Sequence, residues 1–269
     1  MGRIYRGAPS VRERIYVETF IRAPLDRLWE MSQDPGAHPR WDLRFTAIVP
    51  TGTGSDGNTR FRYEFKLPFH TIRGTGISLG HRRRADGQAT SVLKFSTTDP
   101  LSPIGSGAGY WRYVPCEGGV RFITGYDYEP GLGLVGRVLD RRVTRPALGW
   151  ATAWSFDRLR LWAESDVDPA TARTAWILDR TARAGGLAVA ALLLRRSEAG
   201  PGHPTALPLL AVAAVTAVFT IPVHRTVPRA RRCLRHAPDK HAGAAPSALA
   251  TLPAPAQDGP GAAGKGTGS

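Results

Sequence analysis

Between Cys116 and Glu164 the chain changes from strict two-residue alternation to spacings of three and four, and no other feature limits its fold so tightly. In VRFITGYDYEP, Val120, Phe122, Thr124, Tyr126 and Tyr128 share one face, and Arg121, Ile123, Gly125 and Asp127 share the other. That period predicts a half-buried strand. After a glycine-bearing turn, Leu134, Val135, Val138, Leu139 and Val143 recur at helical spacing, and Phe156, Leu159 and Trp162 resume the pattern later. One such stripe can cover a sheet. Pro146 lacks an N–H and crowds the turn before it, which predicts a kink or break near the middle of this helix.

The chain upstream supplies the rest of a sheet. ERIYVETFI reads as a first strand, with Ile15, Val17, Thr19 and Ile21 opposite Tyr16, Glu18 and Phe20. Pro24 suits the first turn of a helix over LDRLWEMSQ, Asp34-Pro35-Gly36 ends it, and AHPRW forms a second short helix or a turn. A strand over Phe45 to Pro50 precedes a Gly- and Ser-rich loop. The cleanest strand follows, with Phe61, Tyr63, Phe65 and Leu67 alternating with Arg60, Arg62, Glu64 and Lys66. Further strands are expected over His70 to Leu79, Thr90 to Thr98 and YWRYV. Gly74 and Gly76 mark a bend or a close backbone approach, and DPLSPIGSGAG reads as a loop. The joining turns are too short for crossover helices, so neighbouring strands should be antiparallel.

The basic charge is unevenly placed. Residues 1–169 carry 24 Lys or Arg against 18 Asp or Glu, whereas residues 170–240 carry 11 against 3. A nucleic-acid reader would need a basic stripe on a recognisable binding element; here the arginines flank apolar runs, so no nucleic acid is expected and an anionic membrane reached through residues 185–235 is. Gly185 to Leu194 is too short to span a hydrocarbon core, and Thr205 to Val223, nineteen uncharged residues, is the candidate transmembrane helix. The segment 170–235 thus reads as a basic, apolar, helical membrane anchor, and 236–269 as a disordered Ala-, Gly- and Pro-rich tail. The N-terminus has no apolar core of a signal peptide, which makes a cytoplasmic folded domain the default.

No catalytic motif stands out. There is no HExxH, P-loop, dinucleotide fingerprint or nucleophile elbow. Seven dispersed histidines and two cysteines, Cys116 and Cys233, give no metal spacing or disulfide framework. Neither a metal nor a cofactor is expected. If the protein is an enzyme, His70, Arg73, Tyr63, Tyr126, Asp127 and Arg121 are the groups to inspect as proton carriers, although Asp127 and Arg121 fit better as a charged outer strand face.

VETFIRAPLDRLWEMSQDPGAHPRWD, the strands after it, and VRFITGYDYEPG followed by a long helix ending in LWAE together resemble the START-like (SRPBCC) superfamily of polyketide cyclases or dehydrases and lipid-transport proteins. The resemblance covers residues 12–164 and implies an α+β helix-grip fold, in which a curved antiparallel sheet wraps round a long C-terminal helix. It also implies an apolar cavity between them. The lining candidates are Phe61, Tyr63, Phe65, Phe122, Tyr126 and Tyr128 from strands and Val135, Val138, Leu139 and Val143 from the helix, with Arg73 as a basic member. The implied activity is binding or transfer of a hydrophobic small molecule or lipid without covalent chemistry. The alternative is a cyclase- or dehydrase-like enzyme acting on an aromatic or polyketide substrate.

Overall fold

The structure, a computed structural model, describes residues 14–81, 84–197 and 206–255. Seven strands form one antiparallel sheet: β1 (Ile15–Ile21), β2 (Ala47–Thr53), β3 (Thr59–Leu67), β4 (His70–His81), β5 (Ala89–Ser96), β6 (Ile104–Cys116) and β7 (Gly119–Pro130). Their order is β1-β7-β6-β5-β4-β3-β2, so the first and second strands lie at opposite edges and the sheet stays open. Helices α1 (Leu25–Gln33) and α2 (His38–Trp41) carry the chain from one edge to the other.

Glycine shapes the sheet. Phe61 lies directly opposite Gly76, Tyr63 opposite Gly74, Phe95 opposite Gly107 and Tyr110 opposite Gly125. A Cβ on Gly107 would come 2.2 Å from the Phe95 ring and one on Gly76 2.3 Å from the Phe61 ring. Each ring therefore lies over the bare backbone of the next strand, which lets large side chains pack flat against a curved surface. This also accounts for β6 beginning at Ile104, earlier than the YWRYV strand expected from alternation. GSGAG is part of the strand and not a loop: Gly107 takes the Phe95 ring, and Gly105 and Gly109 let β7 approach closely.

The helical run after β7 is broken as Pro146 requires. Helix α3 (Gly133–Leu139) passes into a π-turn (Asp140–Thr144) and then α4 (Arg145–Ser165), with Pro146 in the first turn of α4. The α4 helix lies in the grip of the sheet. Phe156 and Leu159 are fully buried with Val17, Ile21, Trp41 and Phe122, and the Phe122 and Phe156 rings stack at 4.5 Å. This is the helix-grip architecture. The stripe ahead of the break does not join the core: Leu134, Val135, Val138 and Leu139 of α3 and Val143 of the π-turn are exposed.

Beyond α4, two expectations are corrected. Helix α5 (Pro169–Ser197) returns beside α4, and α6 (Ala206–Thr220) packs on α5. The transmembrane reading of Thr205 to Val223 fails. The helix stops at Thr220 ahead of Pro222, so its 15 residues reach about 22 Å, short of a hydrocarbon core of about 30 Å. No helix among the described residues is long and apolar enough to cross a membrane.

The tail reading is corrected as far as residue 255. Leu234 pairs with Glu18, and Leu249, in α7 (Ala248–Thr251), packs with Leu252 on Tyr16, Ile77, Val92, Tyr110 and Ile123 of the outer sheet face. Arg112 donates to the Ala244 carbonyl at 2.6 Å, holding the segment down. Two leucines, and carbonyls bonded by Arg112 and Lys94 of the sheet, hold a chain otherwise poor in large side chains. For the same reason Ile123, on the face expected to meet solvent, is 2% exposed.

Candidate functional site

A cavity of about 290 Å³ lies between the concave sheet face, α4 and the segment from α1 to β2. Strand β3 supplies one wall along its whole length with Phe61, Tyr63 and Phe65. Strands β4 and β5 add Ile72, Leu93 and Phe95, and α4 closes the other side with Leu148 and Ala151. Strand alternation explains the wall, since every second residue of β3 turns inward. The same alternation brings Thr124 and Tyr126 of β7 to the lining.

Four of the candidates from sequence therefore meet at the cavity: Phe61, Tyr63, Phe65 and Tyr126. The others lie elsewhere. Phe122 sits in the main core against Phe156, and the Tyr128 hydroxyl donates to Asp140 Oδ1 at 2.7 Å. Arg73 is exposed and pairs with Glu64 at 3.1 Å. Val135, Val138 and Leu139 are on the surface of α3. Of the polar groups singled out, His70 bonds Asp99, Asp127 pairs with Arg145, and Arg121 pairs with Glu18. Only Tyr63 and Tyr126 reach the cavity.

The polar part of the lining comes from residues that alternation could not find. His38 and Asp42 stand one helical turn apart across α2, and His38 Nε2 lies 3.0 Å from Asp42 Oδ2. Arg44 grips the same carboxylate twice, through Nε at 2.9 Å and Nη2 at 2.7 Å, while its guanidinium faces the Tyr126 ring at 5.2 Å. His38 and Arg44 both border the cavity. The signal was the HPRWD spacing with an arginine two residues on, around Trp41, which is fully buried and donates to the Met31 carbonyl.

The electrostatics of this cluster follow from burial. Burial raises the Asp42 pKa, but the Arg44 charge and the bonds from His38 and Arg44 outweigh it and hold the carboxyl well below its usual range. Arg44 is opposed by burial and held charged by Asp42, with its pKa above the ordinary value. His38 is pushed down by burial in spite of Asp42, so its neutral form is favoured. With Nε2 donating to Asp42, the lone pair of neutral His38 is on Nδ1. The Tyr126 hydroxyl shares a 2.9 Å bond with Thr152, and burial raises its pKa. On the same α1–β2 wall, Ser32 and Gln33 bond the Tyr113 hydroxyl at 2.6 and 2.8 Å. The site is thus an aromatic, apolar chamber with a charge-compensated polar edge. Among the described residues no group of His, Cys, Asp and Glu could hold a metal ion.

No family model matches the sequence. Over 157 residues the chain is 43% identical to the uncharacterized membrane protein YndG of Bacillus subtilis (strain 168), a match spanning 58% of this chain and 59% of the relative's length. Among solved structures, a Thermus thermophilus protein aligns with 56% of this chain and 99% of its own, at 15% identity and TM-score 0.42. The STAR-related lipid transfer protein of Xanthomonas axonopodis aligns with 53% and 81%, at 19% identity and TM-score 0.41. The Zhui aromatase/cyclase of Streptomyces sp. R1128 aligns with 57% and 96%, at 13% identity and TM-score 0.42.

Proposed function

We propose that the protein binds a hydrophobic small molecule in the cavity between β3 and α4 and carries it at an anionic membrane surface met through residues 185–235. The observation that carries this reading is the chamber itself, walled by Phe61, Phe65, Leu93 and Phe95 and edged by a few fixed polar groups. Ligand sites have that composition: mostly apolar surface, with a small number of polar groups that set orientation. The volume sharpens the ligand class. At about 290 Å³ the chamber is at the small end of ligand sites, which run to about 1,000 Å³. A compact ring system or a single acyl chain fits it better than a whole two-chain lipid. The polar edge favours a ligand with one hydroxyl, which neutral His38 could accept as a hydrogen bond through its remaining ring lone pair.

The test is titration of the full chain with N-phenyl-1-naphthylamine, a neutral apolar fluorophore. One saturable site is expected, and Leu93→Trp, which fills the chamber, should weaken it at least tenfold. Equal binding by both proteins would refute the reading.

A cyclase- or dehydrase-like activity is the second reading, and the His38–Asp42 pair favours it. A neutral imidazole oriented by a carboxylate and bordering an apolar chamber is a competent proton acceptor. Conversion of the native ligand by the wild type but not by His38→Gln, with binding retained in both, would establish it. Release of unchanged ligand from both proteins would exclude it.

A further inference from the structure

One end of the sheet carries apolar side chains that nothing in the described structure covers. The β3–β4 hairpin, the β5–β6 loop and the β7–α3 connection all lie at this end, since Leu67 pairs with His70 and Ile104 with Pro130. Two bonds tie the three together: His70 Nε2 to Asp99 Oδ2 at 2.7 Å, and the Gly131 N–H to the Pro103 carbonyl at 3.0 Å. Phe69 at the hairpin tip is fully exposed, and Leu101, Leu134, Val135 and Val138 are each more than half exposed. The cavity reaches the same end, where Phe65, Pro103, Ile104 and Leu148 line it.

The α5–α6 hairpin projects from this end too. Arg158 of α4 donates to the Pro169 carbonyl, and Trp176 packs on Trp154 and Trp150, so α5 runs antiparallel to α4 and back toward its first turn. From Trp150 to Arg145 α4 covers about 8 Å, whereas α5 continues from Trp176 to Ser197 for about 32 Å. The excess carries α5 past the sheet. Of α6 and this projecting part of α5, only Ala190 and Ala211 are buried. Leu192, Leu209, Val212 and Phe219 face outward.

Charge selects the occupant. In residues 131–143 the exposed charges are Arg137, Arg141 and Arg142, while the acid among them, Asp140, is turned inward to Tyr128 and Arg145. Glu129 is the nearest exposed acid on β7. Arg195 and Arg196 close α5 with no acid in its last turn. Exposed apolar residues interleaved with arginines suit the headgroup region of an anionic bilayer.

We propose that this end of the molecule lies on an anionic bilayer, with α3, the Phe69 tip and the α5–α6 hairpin forming one docking surface that turns the end of the cavity toward the lipid. The helices rest in the interface and do not span it. The inference rests on the proposed ligand reading only for what passes between bilayer and cavity, since docking can be measured without any ligand.

Cys116, exposed at the β6–β7 turn on the opposite end of the sheet, supplies the control, and Cys233 is buried. In the full chain, an environment-sensitive nitrobenzoxadiazole label is placed at Cys116, or at Leu134→Cys or Phe69→Cys in a Cys116→Ser background. Vesicles contain phosphatidylcholine with 30% phosphatidylglycerol and doxyl-labelled lipid. Labels at 134 and 69 should shift to the blue and be quenched, and the label at 116 should do neither. Arg141→Glu with Arg142→Glu should lower the vesicle-bound fraction at least fivefold, with retention of N-phenyl-1-naphthylamine binding showing an intact fold and cavity. Quenching at 116, or a floating protein with no quenching at 134 and 69, would overturn the orientation. A blue shift at 134 that appears on concentrating the protein without vesicles would assign the surface to a second copy of the chain instead.

Discussion

Helices α4 and α6 differ in composition and in surroundings, and in the opposite sense to what burial of apolar residues would suggest. Helix α4 is enclosed almost all round, burying not only Phe156 and Leu159 but also Asp157 and Arg158. Arg158 is held by three backbone carbonyls, those of Pro169, Trp41 and Arg40, and burial lowers its pKa to about 10. Asp157 is matched by Arg160 and by the Arg229 N–H. The α6 helix, from Ala206 to Thr220 without a charge, buries one alanine. A helix with charged residues can be core when each buried charge is answered, and a helix without them can be surface when its environment lies outside the chain. Burial and composition are separate questions, and here the exposed helix is the more apolar.

Three substitutions test this contrast, in order of expected effect. Phe156→Ala should cost about 3–5 kcal/mol by opening a cavity where three rings meet, read as a lower denaturation midpoint at unchanged slope. Arg158→Met comes next. It leaves three carbonyls without their donor and should cost about 2–4 kcal/mol, although it is the more apolar residue. Leu209→Asp on α6 should alter stability by less than about 0.5 kcal/mol while reducing vesicle binding several-fold. A large loss of stability at Leu209 would mean that α6 belongs to the core and would erase the contrast.

The polar edge of the cavity predicts an acid-sensitive fold. The His38 pKa is lowered on folding, so between that value and about 6.5 the unfolded chain binds more protons, and stability falls as pH drops through this window. The depressed Asp42 pKa adds a second loss beginning near pH 4 and continuing below it. Chemical denaturation between pH 7 and 5 should show a slope that disappears in His38→Gln. An unchanged slope would place the proton uptake elsewhere.

The sequence showed the sheet and the grip helix clearly, because β7 and β3 alternate strictly and Phe156, Leu159 and Trp162 keep helical spacing. It also showed the aromatic wall, since Phe61, Tyr63 and Phe65 share one strand face. The α3 stripe was misleading. Val135, Val138 and Leu139 keep helical spacing, yet they are exposed ahead of a π-turn, and spacing carries no information on what a stripe faces. The His38–Asp42–Arg44 cluster was missed because its members come from a short helix and a connecting segment, where neither period applies. The outer face was missed because what covers it, Leu249 and Leu252, lies over a hundred residues away in a segment with almost no large side chains.

The most direct test of the central claim is native mass spectrometry of the full chain purified from its host. One adduct of a few hundred daltons, removable by solvent extraction and lacking in Leu93→Trp, is the expected result. A chain of bare mass, or an adduct carried equally by Leu93→Trp, would contradict the assignment of the cavity as a binding site.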